Sequence, residues 1–165
     1  MQKHDDVYIF TTYFSESFFI LNRGYEHVVR FTRTIDLFQY RFVMFPLIEL
    51  SHWFLAVMDI HKKQLYILDP YIANQSLEKI IYDHMQRLEK LENCYLRKYF
   101  ENNNENRWVE YEKSVKTPPY IPEQWDGHNC GVFVLEFSRC LANCTEFDFS
   151  NQDMPKIRIR WKDTR

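Results

Sequence analysis

The sequence predicts an α+β domain of two lobes with a site between them, and three observations carry that prediction. Residues 52–69 read as two buried strands joined by a short turn. Residues 76–100 carry an apolar stripe at helical spacing, and the apolar segment 132–137 follows Cys130 as a late helix. With 165 residues, 45% of them apolar and 18% aromatic, the chain can fill one core. A single domain is expected over residues 1–165, with no internal repeat and no linker.

Residues 7–10 and 18–21 are aromatic-rich and are expected to mix a short strand with helical turns. Next comes Ser51-His52-Trp53-Phe-Leu-Ala-Val-Met-Asp59, an unbroken apolar run after a histidine. The connector Ile60-His-Lys-Lys63 and a second run, Gln64-Leu-Tyr-Ile-Leu68-Asp69-Pro70, follow it. The loop length sets the register. A two-residue turn places His52 directly opposite Asp69, whereas a four-residue loop over 60–63 pairs Asp69 with Phe54 and leaves it diagonal to His52 on the same face. A three-residue loop points the two to opposite faces.

In residues 76–100, Leu77, Ile80, Ile81, Met85, Leu88, Leu91, Tyr95 and Tyr99 recur at spacings of three and four. Ser76 can cap the helix and Glu78 suits its first turn. A core-facing helix is expected there rather than a partner-binding one. Residues 101–106 read as a polar loop, 107–113 alternate like a half-buried strand, and Thr117-Pro-Pro-Tyr-Ile-Pro122 reads as a stiff extended lead into the segment of Cys130. The tail from Lys156 holds five Lys/Arg against one Asp. Because Ile157, Ile159 and Trp161 interrupt the charges, it reads as the start of a helix rather than a localisation or membrane-surface signal.

The chemistry concentrates in Gln124-Trp-Asp-Gly-His-Asn-Cys130-Gly131. Gly127 permits a tight turn and Asn129 can cap a helix. Cys130 then falls at the first helical position, where free backbone N–H groups favour the thiolate, the form that attacks. A buried free cysteine is the plain alternative. A base is available if the strand pair forms: His52 takes the thiol proton, and Asp69 holds the imidazole in one tautomer. Gln124 would then serve, with the Cys130 N–H, as donor to the oxyanion of the attacked carbonyl. Taken alone, His52, Asp69 and Gln124 would read as ordinary strand-end and loop residues.

The net charge of −2 gives no reason to expect nucleic acid as a partner. Four cysteines, no signal peptide and no apolar stretch of transmembrane length suit a nuclear or cytoplasmic, reducing location with no membrane partner. A zinc site of His128, Cys130, Cys140 and Cys144 is the competing use of the thiols. It lacks a Cys-x-x-Cys knuckle, and one helix from 130 would hold the outer sulfurs about 20 Å apart. No metal and no cofactor are expected.

Four blocks in order resemble the SUMO-specific, Ulp/SENP-type cysteine proteases. Thr34-Ile-Asp-Leu-Phe38, Val43-Met-Phe-Pro46-Leu and Ser51-His52-Trp53-Phe-Leu-Ala-Val57 are similar to that family's approach to its catalytic histidine. Leu68-Asp69-Pro70 resembles its aspartate strand, and residues 124–134 its nucleophile loop. Phe147-Asp-Phe149-Ser-Asn-Gln-Asp153-Met-Pro155-Lys-Ile-Arg158-Ile-Arg160 resembles a C-terminal signature that catalysis alone does not require.

The resemblance implies a papain-like, adenain-like fold with a central mixed sheet and helices. It implies Cys130 as nucleophile, His52 as base, Asp69 as third member and Gln124 as oxyanion donor. Trp53 and Gly131 are implied as substrate-binding, with the indole walling a tunnel for a diglycine terminus; a core tryptophan is the alternative for Trp53. The implied function is removal of SUMO from conjugates, or processing of its precursor, through a thioester, by a monomer. The family's domain starts further upstream, with a Trp-Leu-Asn-Asp type segment, so a catalytic domain truncated at both ends is expected. The competing functions are deconjugation of another ubiquitin-like protein such as Nedd, a non-catalytic binder of such proteins, and acetyl transfer on a related fold.

Overall fold

The computed structural model describes residues 6–72, 76–102 and 109–164. Five strands form one sheet in the order β1-β2-β3-β4-β5: β1 (Val7–Ile9), β2 (Phe42–Glu49), β3 (His52–Asp59), β4 (Gln64–Leu68) and β5 (Glu112–Lys116). The two outer pairings are parallel and the two inner ones antiparallel, which makes the sheet mixed.

The unbroken apolar run of β3 has a direct cause, because the sheet is covered on both faces. Phe54, Ala56 and Met58 join Phe45, Leu47, Leu65 and Ile67 in one core, while Leu55 and Val57 join Met44 and Leu68 in the other. The first core is closed by the helical segments α1 (Thr12–Ser15), α2 (Tyr25–Val28), α3 (Leu77–Leu91) and α4 (Arg97–Asn102). The second is closed by α5 (Cys130–Ala142) and α6 (Met154–Lys162), through Phe133, Phe137, Met154 and Ile157. Phe133 and Phe137 are fully buried, and each such side chain contributes on the order of 2 kcal/mol relative to leaving it in water.

The β3–β4 register is that of the four-residue loop: Asp59 pairs with Gln64 and Leu55 with Leu68. Local chemistry selects it. The Asp59 carboxylate accepts from the Lys62 N–H at 3.0 Å, and Lys63 takes the left-handed conformation at φ 55°. At the other end of β3, Leu50 and Ser51 both adopt positive φ, 49° and 64°. That is the geometry by which two residues join antiparallel strands, and it turns the chain directly into His52.

Ser76 caps α3 through the Lys79 N–H at 3.1 Å, and a π-helical stretch, Glu92–Leu96, links α3 to α4. The buried stripe of α3 is Ile80, His84, Leu88 and Leu91, whereas Leu77 and Ile81 of the expected stripe are exposed. The sheet contacts a narrower face than the apolar pattern offers. Residues 103–108 lie outside the described residues, so much of the expected loop and the start of the 107–113 strand are not placed; the fifth strand runs at 112–116 instead. Residues 117–120 form a turn closed by Tyr120 N–H to Thr117 O at 3.0 Å, not an extended lead. The basic tail is helical, as α6.

Candidate active site

The start of β3, the end of β4 and the tip of α5 converge. His52 opens β3, and its Nε2 lies 2.7 Å from Asp69 Oδ1, one residue beyond β4. Asp69 is 3% exposed. Its Oδ1 also accepts from the Tyr71 N–H at 3.0 Å, and its Oδ2 meets the Nε2 of His84, on α3, at 2.7 Å. Burial pushes the Asp69 carboxyl up, but the hydrogen bonds from His52 and His84 outweigh it and hold the group at about 2. An ionised carboxylate only accepts, so His52 donates from Nε2 and keeps Nδ1 as its basic nitrogen.

Cys130 is the first residue of α5, as expected, and is largely buried. Its sulfur lies 4.0 Å from the carbonyl oxygen of Ser51, the residue before His52. Thus the structure joins His52 to Asp69 directly and brings the Cys130 sulfur beside the turn that delivers His52. Trp53, the next residue of β3, points to the opposite face and lies against Gly131, where an added Cβ would meet the indole at 3.5 Å. Trp53, Gly131, Cys130, Ser51, Gly127 and His128 share the wall of one groove of about 810 Å³.

The loop before Cys130 is organised differently from the expectation. Gly127 has no positive φ, and Asn129 makes no side-chain cap bond. Asp126 orders the loop just ahead of the helix: its Oδ1 accepts from the His128 and Asn129 N–H groups, both at 2.9 Å, and its Oδ2 from Asn129 Nδ2 at 2.6 Å. Burial opposes ionisation, yet these hydrogen bonds hold its carboxyl well below the usual range. Asn129 in turn accepts from Arg158 Nε at 2.7 Å, and Arg158 Nη2 bonds the His128 carbonyl at 2.9 Å. The C-terminal block therefore braces the loop before Cys130 from α6.

Gln124 is buried, and its backbone N–H donates to the Pro70 carbonyl at 2.8 Å, tying its loop to the strand end that carries Asp69. Its amide nitrogen bonds the Asp126 carbonyl at 2.6 Å and lies 3.4 Å from the Asp126 carboxylate. Its Oε1 has no hydrogen-bond partner among the described residues. Of the thiols considered for zinc, Cys144 accepts from Arg41 at 3.0 Å, and no cluster of three or more His, Cys, Asp or Glu suited to a metal occurs among the described residues.

Three residues of this site escaped the sequence reading: His84, Asp126 and Arg158. His84 had a signal, since it stands four residues after Ile80 and four before Leu88 on the buried stripe. A polar side chain on such a face needs a partner.

Comparison with known proteins agrees with this geometry. A family model described as the Ulp1 protease family, C-terminal catalytic domain, matches residues 2–165. Sentrin-specific protease 5 of Mus musculus is 28% identical over 156 residues, 94% of this chain and 19% of that protein. A sentrin-specific protease of Caenorhabditis elegans is 28% identical over 161 residues, 96% of this chain and 21% of its own length. In fold, the chain is similar to the C-terminal Ulp1 protease domain solved in complex with Smt3, the yeast ortholog of SUMO. The TM-score is 0.72 at 17% identity, over 95% of this chain and 66% of that one. The chain thus spans about a fifth of the length of these curated relatives.

Proposed function

The chain belongs to the Ulp1 protease family, as a C-terminal catalytic domain, and from that premise we propose that it is a cysteine isopeptidase and processing peptidase acting after the C-terminal diglycine of SUMO. The observation that carries the proposal is the 2.7 Å contact of His52 with Asp69, beside the turn whose Ser51 carbonyl touches the Cys130 sulfur.

In this reading His52 Nδ1 takes the proton of the Cys130 thiol, and Asp69 stabilises the imidazolium. The sulfur attacks the carbonyl carbon of the terminal glycine, and the electron pair moves to the carbonyl oxygen. The Cys130 N–H and the Gln124 amide donate to that oxyanion. For Gln124 to donate there, its amide must give up the longer of its two bonds to Asp126, the one at 3.4 Å to the carboxylate. Collapse expels the amine, which takes the proton from His52 and leaves a thioester. Water, deprotonated by His52, attacks the thioester; the SUMO carboxylate and the thiol are released.

Trp53 and Gly131 form the glycine-binding wall. An indole against a residue without a side chain leaves room for glycine and excludes bulk, which makes the selection steric. The names of the relatives, sentrin-specific proteases, support SUMO over Nedd. The free thiols at 94, 130, 140 and 144 support a reducing compartment, nucleus or cytosol. Among the described residues no helix is long and apolar enough to cross a membrane.

The test is to incubate the chain and its Cys130→Ala variant with SUMO and Nedd carrying C-terminal electrophiles. Labelling by the SUMO probe, abolished in the variant, is expected. Labelling by Nedd alone transfers the chemistry to that partner, and a folded chain that binds SUMO without labelling is a binder and not a protease.

A further inference from the structure

We propose that His84 is a positioning residue for the His52–Asp69 pair, with Arg87 fixing its tautomer. The proposal rests on the protease reading of the site above.

His84 is 3% exposed and sits under Phe54, with ring centroids 4.7 Å apart. Its Nε2 lies 2.7 Å from Asp69 Oδ2, and its Nδ1 lies 3.1 Å from Arg87 Nη1. A guanidinium has donors only. Nδ1 must therefore accept, and the ring carries its single proton on Nε2, aimed at the carboxylate. Arg87 is itself held on two sides, by an ion pair to Glu49 and by the Phe54 ring, 5.2 Å from its guanidinium carbon. Glu49 is the β2 residue that pairs with His52 across the sheet. The chain of contacts His52, Asp69, His84, Arg87, Glu49 thus closes on the strand pair from which it starts.

The closure has a mechanical consequence. Asp69 follows the last residue of β4; its backbone N–H donates to the Lys116 carbonyl at 3.1 Å, and its carboxylate is oriented by the bonds its oxygens make. With Oδ2 bonded to His84, the carboxylate plane cannot turn about its χ2, so Oδ1 stays on His52 Nε2 and His52 Nδ1 stays aimed off the strand. Without His84, Oδ2 is a buried acceptor lacking a partner, and rotation toward solvent competes with the bond to His52. Arg87 supplies the electrostatic part. The charged or titratable groups lining the same cavity as His84 are Asp69, His52 and Tyr71, then Lys79, Asp83 and Arg87 from its own helix, and Glu49 behind Arg87. Of these, Arg87 is the one bonded to Nδ1, so it holds that atom as an acceptor and keeps the Nε2 proton on Asp69.

Three variants of the full chain separate positioning from mere packing, assayed with SUMO carrying a C-terminal coumarin amide. His84→Leu removes the donor, and His84→Gln restores an N–H at similar reach. Arg87→Met keeps the stem over Phe54 and frees Nδ1. The Leu variant is expected to lose on the order of tenfold to a hundredfold in kcat with KM unchanged, the scale of small misplacements in a catalytic array. The Gln variant is expected within about threefold of wild type. Arg87→Met is expected to let His84 sample its other tautomer, lowering kcat with KM unchanged, because nothing then holds Nδ1 as an acceptor.

Imidazole nitrogen–proton NMR gives a readout without turnover: in wild type His84 should carry its proton on Nε2 with Nδ1 bare, and His52 should lose its single tautomer in His84→Leu. Unchanged kcat in a folded Leu variant, a Gln variant as impaired as Leu, or a His84 ring in the other tautomer overturns the proposal. If wild type cleaves no SUMO substrate the protease reading fails, and the NMR result still decides the role of His84.

Discussion

Asp69→Asn tests the centre of the arrangement, because the substitution keeps the shape and reverses half of the hydrogen bonding. The carboxylate accepts from His52, Tyr71 and His84. An asparagine offers one oxygen, and its NH2 must face one imidazole N–H, donor against donor. His84 cannot relieve the clash by changing tautomer while Arg87 occupies its Nδ1.

The cost follows from linkage. The carboxyl is held at about 2 in the folded chain, against about 3.9 when unperturbed, which corresponds to about 2.6 kcal/mol of stability at pH 7. Because the folded-state value is the lower one, this contribution is complete above the unfolded value and shrinks as pH falls toward 2. Roughly half remains at pH 3. Urea unfolding of wild type and variant at pH 7 and pH 3 measures it. Turnover of a SUMO substrate should also fall on the order of a thousandfold or more, as when the carboxylate of a serine-protease triad becomes an amide. A stability difference below about 0.5 kcal/mol at pH 7, or one as large at pH 3 as at pH 7, would refute the reasoning.

Two further substitutions probe the loop before Cys130. Asp126→Ala strips the acceptor from the His128 and Asn129 N–H groups; a loss of about 1–3 kcal/mol is expected by thermal unfolding, with slower alkylation of Cys130 by iodoacetamide. Arg158→Met releases Asn129 and the His128 carbonyl; the expected cost is about 1.5–3 kcal/mol, and Cys130 alkylation should slow while the far-UV circular dichroism stays unchanged.

Much of the site was legible in one dimension because its parts are local. The His52–Asp69 hairpin needs only two apolar runs and a loop whose length sets the face, and the Asp59 side chain with a left-handed Lys63 selects the four-residue form. Cys130 at a helix start follows from the apolar segment behind it. The reading went astray where one side chain substitutes for another in the same task. Asn129 looked like the cap residue, yet its side chain makes no cap bond and is held instead by Asp126, whose carboxylate accepts from the loop N–H groups of His128 and Asn129 and from the Asn129 amide, because it can take several donors at once. Along α3 the pattern overstated the core face, including Leu77 and Ile81, since periodicity gives a direction but not the width of the surface the sheet covers.

Local pattern and motif spacing carried the α+β class, the hairpin and the two long helices, and they marked Cys130, His52, Asp69 and Gln124 as candidates. The contacts that finish the site belong to folding in three dimensions: His84 on the second oxygen of Asp69, Arg158 across the Cys130 loop, Trp53 on Gly131. Each joins segments whose separation along the chain carries no periodic signal. Their distance is set by how helices pack on the two faces of the sheet, and that packing is a sum over many apolar contacts that no single stretch of sequence contains.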